Sequence, residues 1–162
     1  SNFVVKGIWF YGLAGSGKTH ASLLVQEYIE NAFILDGDVV RDLISFDLGY
    51  TPNDRKVQVK RILGLMQLAI LNKLLPVASS VSMNKETLQR ARELGILVVK
   101  IERPFDQISK VRDIYDKSNN VVGKDITLDQ LETHVLFNNG DDAFNDLIGG
   151  FVKQTIEAKG AN

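Results

Sequence analysis

A glycine-rich turn near the N-terminus constrains the fold of this chain more than any other feature. The apolar run Gly7–Tyr11 leads directly into Gly12-Leu13-Ala14-Gly15-Ser16-Gly17-Lys18-Thr19. This segment matches the pattern G-x-x-x-x-G-K-(S/T), and a helical pattern follows it from about Lys18 to Glu30. A strand, a glycine-rich turn and a helix in this order predict a P-loop, whose backbone N–H groups surround a phosphate.

Each residue type in this turn suits the binding of a nucleoside triphosphate. Glycines let successive N–H groups turn inward without a Cβ clash, and the helix that follows directs the positive end of its dipole at the same phosphate. Lys18 is expected to reach the β- and γ-phosphates as a catalytic residue, and the Thr19 hydroxyl to ligate Mg²⁺. The sequence therefore predicts ATP and Mg²⁺ as cofactors. The predicted nucleotide-binding residues are Gly12, Gly15, Ser16, Gly17, Lys18 and Thr19.

Short apolar runs alternate with longer amphipathic segments along the whole chain, which predicts a parallel sheet covered by helices on both faces. The predicted strands are Val4–Tyr11, Ala32–Leu35, Pro76–Val81, Ile96–Ile101 and His134–Phe137. The predicted helices are Lys18–Glu30, Asp54–Leu74 with Thr51-Pro52 as its start, Lys85–Glu93, one opened by Pro104, and Asp141–Ala158. We expect one α/β domain over residues 1–162 with the three-layer P-loop nucleoside triphosphate hydrolase-like fold. A polar stretch around 113–131 predicts a mobile lid.

Composition narrows the classes of function. Hydrophobic residues make up 44% of the 162 residues, and 19 basic residues face 20 acidic ones, so no net charge favours a nucleic acid or an anionic membrane as partner. The chain has no cysteine, which excludes disulfides and a cysteine nucleophile. No apolar run reaches the ~18 residues of a membrane span. These features predict a cytoplasmic protein.

A second acidic turn, Asp36-Gly37-Asp38, follows a predicted strand and so should lie at the same sheet edge as the P-loop. Carboxylates beside a bound triphosphate can hold Mg²⁺ or accept the proton of an attacking hydroxyl. Downstream arginines at positions 41, 55 and 61 can clamp an anionic acceptor. The alternatives are an ordinary Asp-Gly turn for the carboxylates and a solvated helix face for Arg55 and Arg61.

Three ordered segments together resemble the adenylylsulfate (APS) kinases. They are Gly7–Thr19, Leu35–Arg41 and Asp47–Lys56, within the first 65 or so residues. The resemblance implies an enzyme that transfers the γ-phosphate of ATP to the ribose 3′-hydroxyl of a nucleotide carrying an activated sulfate. It also implies a homodimer.

The resemblance also implies roles for individual residues. Asp36 would be the catalytic carboxylate linked to Mg²⁺, with Asp38 beside it in a catalytic and substrate-binding role. Arg41 and Arg55 would hold the anionic group of the acceptor, and Lys117 would be a lid lysine over the transferring phosphate. Further substrate-binding residues are expected where this chain aligns with the family's acceptor motifs, at Tyr50, Gln58 and Ser82.

The acceptor-side motifs depart from the family pattern. Val57-Gln58 replaces Glu-Asn, Ser82-Met83-Asn84-Lys85 replaces Ser-Pro-Tyr-Arg, and Asn119–Leu131 replaces a lid whose Phe stacks on the acceptor base. These departures favour a different acceptor, cytidine diphosphoramidate, which is used in modifying bacterial capsular polysaccharide. APS is the alternative acceptor. A non-catalytic nucleotide-binding domain is the alternative from another class.

Four further positions have simpler interpretations. Trp9 is expected in the core, His20 in packing or at the surface, and His134 in a structural role. The segment Asn138-Asn139-Gly140 ends the last predicted strand, where it either contacts the ATP base or forms a simple turn.

Overall fold

The computed structural model describes residues 4–104 and 131–157, and every structural statement below refers to these residues. The strands are β1 (Gly7–Tyr11), β2 (Ala32–Asp36), β3 (Leu75–Ser80), β4 (Ile96–Glu102) and β5 (His134–Phe137). The helices are α1 (Lys18–Tyr28), α2 (Gly37–Leu43), α3 (Pro52–Leu71), α4 (Lys85–Glu93) and α5 (Asp141–Val152), and a π-helical turn (Lys153–Glu157) follows α5.

The five strands form one sheet in the order β2-β3-β1-β4-β5. All four neighbouring pairs are parallel, and on the central strand Trp9 lies opposite Ala78 of β3 and Val98 of β4. The predicted parallel α/β fold is therefore confirmed. Because every strand points the same way, the carboxyl ends of all five strands meet at one edge of the sheet.

Alternating residues of β1 enter two separate cores, one on each face of the sheet. Trp9 and Tyr11 pack with residues of α3 and α4, whereas Ile8 and Phe10 pack with residues of α1 and α5. The strand is buried along its whole length, as its continuous apolar sequence predicts. The indole of Trp9 is fully buried and donates a hydrogen bond to the Ser80 hydroxyl at 2.8 Å, which confirms its place in the core.

Most element bounds shift by a few residues from the prediction, and three differences are larger or change the kind of element. β1 begins at Gly7 rather than Val4, and the backbone N–H of Lys6, just before the strand, donates to the carbonyl of Gly95. The closing α-helix ends at Val152 and continues as the π-helical turn. The turn predicted after β2 opens α2, a seven-residue helix too short to show a helical period in the sequence.

Two predicted features fall largely outside the described residues. The helix expected after Pro104 and the lid around 113–131 belong to this part of the chain, apart from Leu131, which packs against the core beside α3 and α4. Within the two described ranges, no helix has both the length and the apolar character required to cross a membrane.

Helix α3 begins as its sequence predicts. The Thr51 hydroxyl accepts a hydrogen bond from the backbone N–H of Asp54 at 3.2 Å, and Pro52 occupies the first turn. This cap satisfies an N–H group that has no partner within the helix. It also fixes the end of α3 that carries Arg55 and Gln58, so the start of the helix determines where these two side chains lie.

Replacing Thr51 with alanine removes the side-chain cap. We expect Thr51→Ala to lower the free energy of unfolding by about 1 kcal/mol. Thr51→Ser keeps a hydroxyl at the same position and is the matched control, which should stay close to the wild type. Urea unfolding followed by circular dichroism measures both. Equal losses for the two variants would contradict the capping role.

Candidate nucleotide and acceptor site

The P-loop connects the central strand to α1 at the carboxyl edge of the sheet. The backbone N–H of Gly12 donates to Ser80 at 3.2 Å, which ties the loop to β3, and the N–H of Ser16 donates to Leu13 at 3.0 Å, which closes the turn. Helix α1 starts at Lys18, directly after the loop. The loop and the positive end of the α1 dipole thus form the anion-binding arrangement that the motif predicts.

Gly17, the last loop residue, is required as glycine for two reasons. Its φ of 110° lies in the left-handed region, which residues with a Cβ rarely adopt. A Cβ built at this position would lie 2.7 Å from Nδ2 of Asn138 and 3.2 Å from a ring carbon of Phe144. Gly17 therefore combines a special backbone conformation with close packing against the end of β5 and the start of α5.

Lys18 and Ser16 differ in their surroundings. The Lys18 ammonium donates to the carbonyls of Gly12 at 2.8 Å and Leu13 at 2.9 Å, so its charge lies against the loop that is expected to bind phosphate. The Ser16 side chain is fully buried. Gly12 and Gly15 both have positive φ, as the tight turn demands.

Thr19 and Asp36 are in contact although β3 lies between β1, which leads into the P-loop, and β2, which ends at Asp36. The Thr19 hydroxyl donates to Oδ2 of Asp36 at 3.1 Å. The other carboxylate oxygen, Oδ1, accepts the backbone N–H of Asp38 at 2.8 Å and caps α2. Mg²⁺ prefers oxygen ligands and is often held by one or two side chains together with substrate phosphates. A hydroxyl and a carboxylate in direct contact beside the P-loop fit that ion.

Asp38 occupies the first turn of α2, where its side chain is exposed. Gly37, between the two aspartates, packs so closely on β3 that a Cβ there would lie 2.7 Å from the carbonyl oxygen of Ser79. The segment is therefore an ordered helix start, and the interpretation as an ordinary turn is wrong.

Arg41, Tyr50 and Arg55 form a second cluster. The guanidinium carbon of Arg41 lies 4.3 Å from the centre of the Tyr50 ring, and that of Arg55 lies 5.4 Å from it. Arg41 also donates to the carbonyl of Gly49 at 2.8 Å, and Arg55 to that of Tyr50 at 2.9 Å. Tyr50 is 54% exposed. Two cations on one accessible aromatic ring suit an anionic ligand with a planar group.

Arg55 lies close to the positive charge of Arg41. Burial, and then the positive charge of Arg41, lower the pKa of Arg55 below its ordinary value. Arginine nevertheless stays charged at neutral pH, so the two guanidinium groups repel each other. An anion bound between or beside them would offset that repulsion. Arg55 is half-buried rather than fully solvated, and its role in binding a ligand stays a prediction.

Arg61 lies outside this cluster. It forms a two-point ion pair with Asp47, with nitrogen–oxygen distances of 2.6 and 3.0 Å. The hydrogen bond from Arg61 lowers the pKa of Asp47, and the same bond raises the pKa of Arg61. Arg61 thus holds the segment between α2 and α3 rather than an acceptor.

The remaining predicted acceptor residues differ in position. Gln58 is only 4% exposed, and its Nε2 donates to the carbonyl of Gly37 at 3.1 Å, so it supports the start of α2. The carbonyl of Ser82 accepts a hydrogen bond from the Ser80 hydroxyl at 2.6 Å. Lys117 lies outside the described residues. Direct substrate contacts of Gln58, Ser82 and Lys117 stay predictions.

Two side chains that the sequence did not identify as P-loop contacts donate hydrogen bonds to carbonyls of the loop. Nδ2 of Asn138 donates to the carbonyl of Ser16 at 2.8 Å, and a guanidinium nitrogen of Arg103 donates to that of Gly15 at 3.3 Å. His20 instead bonds to Asn145 at 2.6 Å and stacks on Phe144, which confirms its packing role. No spacing rule connects Asn138 with a loop 122 positions away.

The sheet order and the loop define a P-loop α/β protein of the kind that binds phosphorylated ligands. The sequence model described as Adenylylsulphate kinase matches residues 5–128. The chain belongs to the adenylylsulphate kinase family.

Curated relatives carry the same description. An adenylyl-sulfate kinase of Paraburkholderia xenovorans is 32% identical over 113 residues, which make up 65% of this chain and 63% of the relative. One of Chloroflexus aurantiacus is 32% identical over 121 residues, 68% of this chain and 64% of the relative. The chain therefore spans less than two thirds of the length of these relatives.

Solved structures share the fold. The Mycobacterium tuberculosis APS kinase, in complex with AMPPNP and APS, has a TM-score of 0.83 at 21% identity and covers 96% of this chain and 99% of its own. A shikimate kinase of Aquifex aeolicus has a TM-score of 0.58 at 12% identity, with 96% and 98% covered. At such identities, the likeness establishes the fold.

Gly17→Ala tests the geometry of the loop. The added methyl group forces a left-handed alanine and a clash with Asn138, so we expect the affinity for ATP to fall at least about tenfold. The control is Gly64→Ala in α3, where a Cβ would meet nothing within 4 Å. It should leave ATP affinity unchanged and raise the free energy of unfolding by up to about 1 kcal/mol. Isothermal titration calorimetry and urea unfolding measure these effects, and unchanged ATP affinity in Gly17→Ala would contradict the loop assignment.

Proposed function

We propose that this protein is an ATP-dependent kinase that transfers the γ-phosphate of ATP to the ribose 3′-hydroxyl of an activated nucleotide. The observation that carries the proposal is the contact between Thr19 and Asp36, since it joins the P-loop helix to the start of α2. Arg41 lies five positions beyond Asp36, a rise of roughly 7 Å along α2. The residues expected to hold Mg²⁺ and the acceptor therefore lie at the two ends of one short helix.

The residues suggest a direct transfer. The P-loop N–H groups and Lys18 would stabilise the charge on the β- and γ-phosphates, and Thr19 with Asp36 would hold Mg²⁺, which when bound neutralises further phosphate charge. A carboxylate of Asp36 or Asp38 would accept the proton of the ribose hydroxyl. The ribose oxygen then bonds to the γ-phosphorus, the bond from that phosphorus to the bridging oxygen of ADP breaks, and ADP leaves.

APS is the acceptor that the family membership supports best, because the curated relatives are described as adenylyl-sulfate kinases. The cluster of Arg41, Tyr50 and Arg55 suits such a ligand, which combines a planar base with an anionic phosphosulfate. The homodimer that the resemblance implies stays a prediction, as does the cytoplasmic location.

Cytidine diphosphoramidate is the second candidate acceptor. Two departures from the family's acceptor motifs motivate it. Nε2 of Gln58, where the family has Asn, donates to the carbonyl of Gly37, and Asn84, where the family has Tyr, caps α4 by accepting the backbone N–H of Thr87 at 2.8 Å. Side chains used in this way leave a different surface for the acceptor base. A non-catalytic nucleotide-binding domain would show no acceptor-dependent production of ADP with either compound.

Asp36→Asn tests the catalytic carboxylate. Asparagine keeps the shape and the helix cap, because its amide oxygen can still accept the Asp38 N–H, but it removes the negative charge. We expect ATP binding to survive and phosphoryl transfer to fall by on the order of 10²-fold or more. Asp47→Asn is the matched control, which breaks the pair with Arg61 and should leave the transfer rate near that of the wild type. An Asp36→Asn variant with a normal rate would exclude this role.

The acceptor is tested by comparing kcat/KM for APS and cytidine diphosphoramidate at one ATP concentration. The position of the new phosphate is assigned by ³¹P NMR. We expect APS to be the better acceptor, because a mismatched base leaves buried polar groups unpaired and costs several powers of ten. Arg41→Met should lower kcat/KM for either acceptor at least about tenfold, whereas Arg61→Met should leave kcat/KM unchanged. Efficient turnover of the cytidine compound alone would reverse the assignment of the acceptor.

A further inference from the structure

The backbone of Asn138 is fixed by a hydrogen bond to β4, independently of its side chain. It follows β5 directly, and its N–H donates to the carbonyl of Glu102 at 2.7 Å, which extends the pairing of β4 with β5 by one residue. The residue is 7% exposed. Its side chain therefore projects from a rigid strand end, where small adjustments of the backbone are costly.

Both ends of the Asn138 amide are used. Nδ2 donates to the carbonyl of Ser16 at 2.8 Å, and Oδ1 accepts the backbone N–H of Gly140 at 3.1 Å. The reversed amide would place oxygen against the Ser16 carbonyl and NH₂ against the Gly140 N–H, so only one orientation satisfies both partners. The end of β5 and the start of α5 thus determine the direction of a donor that reaches the P-loop.

The contact with Ser16 has a consequence for the next residue. The described chain has no cis peptide bond, and in a planar trans peptide the C=O and the following N–H point in opposite directions. Holding the Ser16 carbonyl toward Asn138 therefore turns the N–H of Gly17 to the other side of the loop. In a P-loop, that N–H belongs to the set that surrounds the phosphate.

We propose that Asn138 is a positioning residue, which keeps the Ser16–Gly17 peptide in its phosphate-binding orientation. The proposal rests on the triphosphate site of the proposed function and deepens it. The hydrogen bond from the Gly140 N–H to Oδ1 confirms the interpretation of this segment as a turn, and the alternative of a base contact is separated from the positioning role by the experiment below. Since Asn138 acts through the loop, its effect falls on the phosphate chain of the ligand and is independent of the nucleotide base.

The experiment compares two ligands that share only the phosphate chain, ATP and inorganic tripolyphosphate. Asn138→Ala leaves the buried Ser16 carbonyl without its donor, so we expect the Kd for both ligands to rise by about tenfold. Gln89→Ala, at an exposed position of α4, is the control and should change neither Kd. Weaker binding of ATP with unchanged binding of tripolyphosphate would show a base contact and overturn the proposal.

Asn138→Asp is the second variant because it has the same shape. It places a carboxylate oxygen against the Ser16 carbonyl and adds negative charge beside the phosphate site, so we expect a larger loss, about a hundredfold or more. Urea unfolding of each variant separates positioning from stability. A fall in stability with unchanged Kd for tripolyphosphate would overturn the proposal, as would failure of both variants to fold.

Binding of ATP and tripolyphosphate to the wild-type protein distinguishes a failure of the proposed function from a failure of the role of Asn138. If the wild-type protein binds neither ATP nor tripolyphosphate, the proposed function fails, and the role of Asn138 fails with it. If the wild type binds both ligands and Asn138→Ala binds them equally well, the proposed function stands and the positioning role alone is wrong.

Discussion

The structure depends on one buried strand that ends in an anion-binding turn. Strand β1 pairs with a parallel neighbour on each side and faces a core on each side of the sheet, so its end cannot move independently of the fold. The loop that follows inherits this rigidity and presents its N–H groups at a fixed place. Preorganised dipoles of this kind need no rearrangement when charge develops on a phosphate, which is where their catalytic value lies.

The two halves of the proposed site differ in what holds them in place. The triphosphate half consists of backbone groups in a tight loop. Arg103 and Asn138 hold that loop by donating hydrogen bonds to the carbonyls of Gly15 and Ser16. The acceptor half consists of long side chains around an exposed ring, where Arg41 and Arg55 repel each other. A loop held by its backbone suits a cofactor common to a whole fold class. A cluster of cationic side chains can be matched to one anionic acceptor.

Helix α2 links these halves, and the sequence did not predict it. Asp36 begins the helix as its cap and contacts Thr19, while Arg41 near the other end contacts the ring of Tyr50. Seven residues are too few for a hydrophobic period to become visible, and Asp-Gly is equally typical of turns. The interpretation of Asp36 as a functional residue was nevertheless available, because a carboxylate at the end of a parallel strand lies at the edge where ligands bind.

The features that the sequence predicted by itself depend on interactions between residues close together in the chain. The apolar runs, the glycine pattern and the Thr51-Pro52 start of α3 each act over a few residues, so they predicted the parallel α/β fold and the P-loop. Tertiary structure alone decided that Asn138 supports Ser16, that Gln58 supports Gly37, and that Arg61 pairs with Asp47 while Arg55 faces Tyr50. These contacts join side chains from different elements, and their geometry follows from how helices and strands pack in three dimensions rather than from any spacing along the chain.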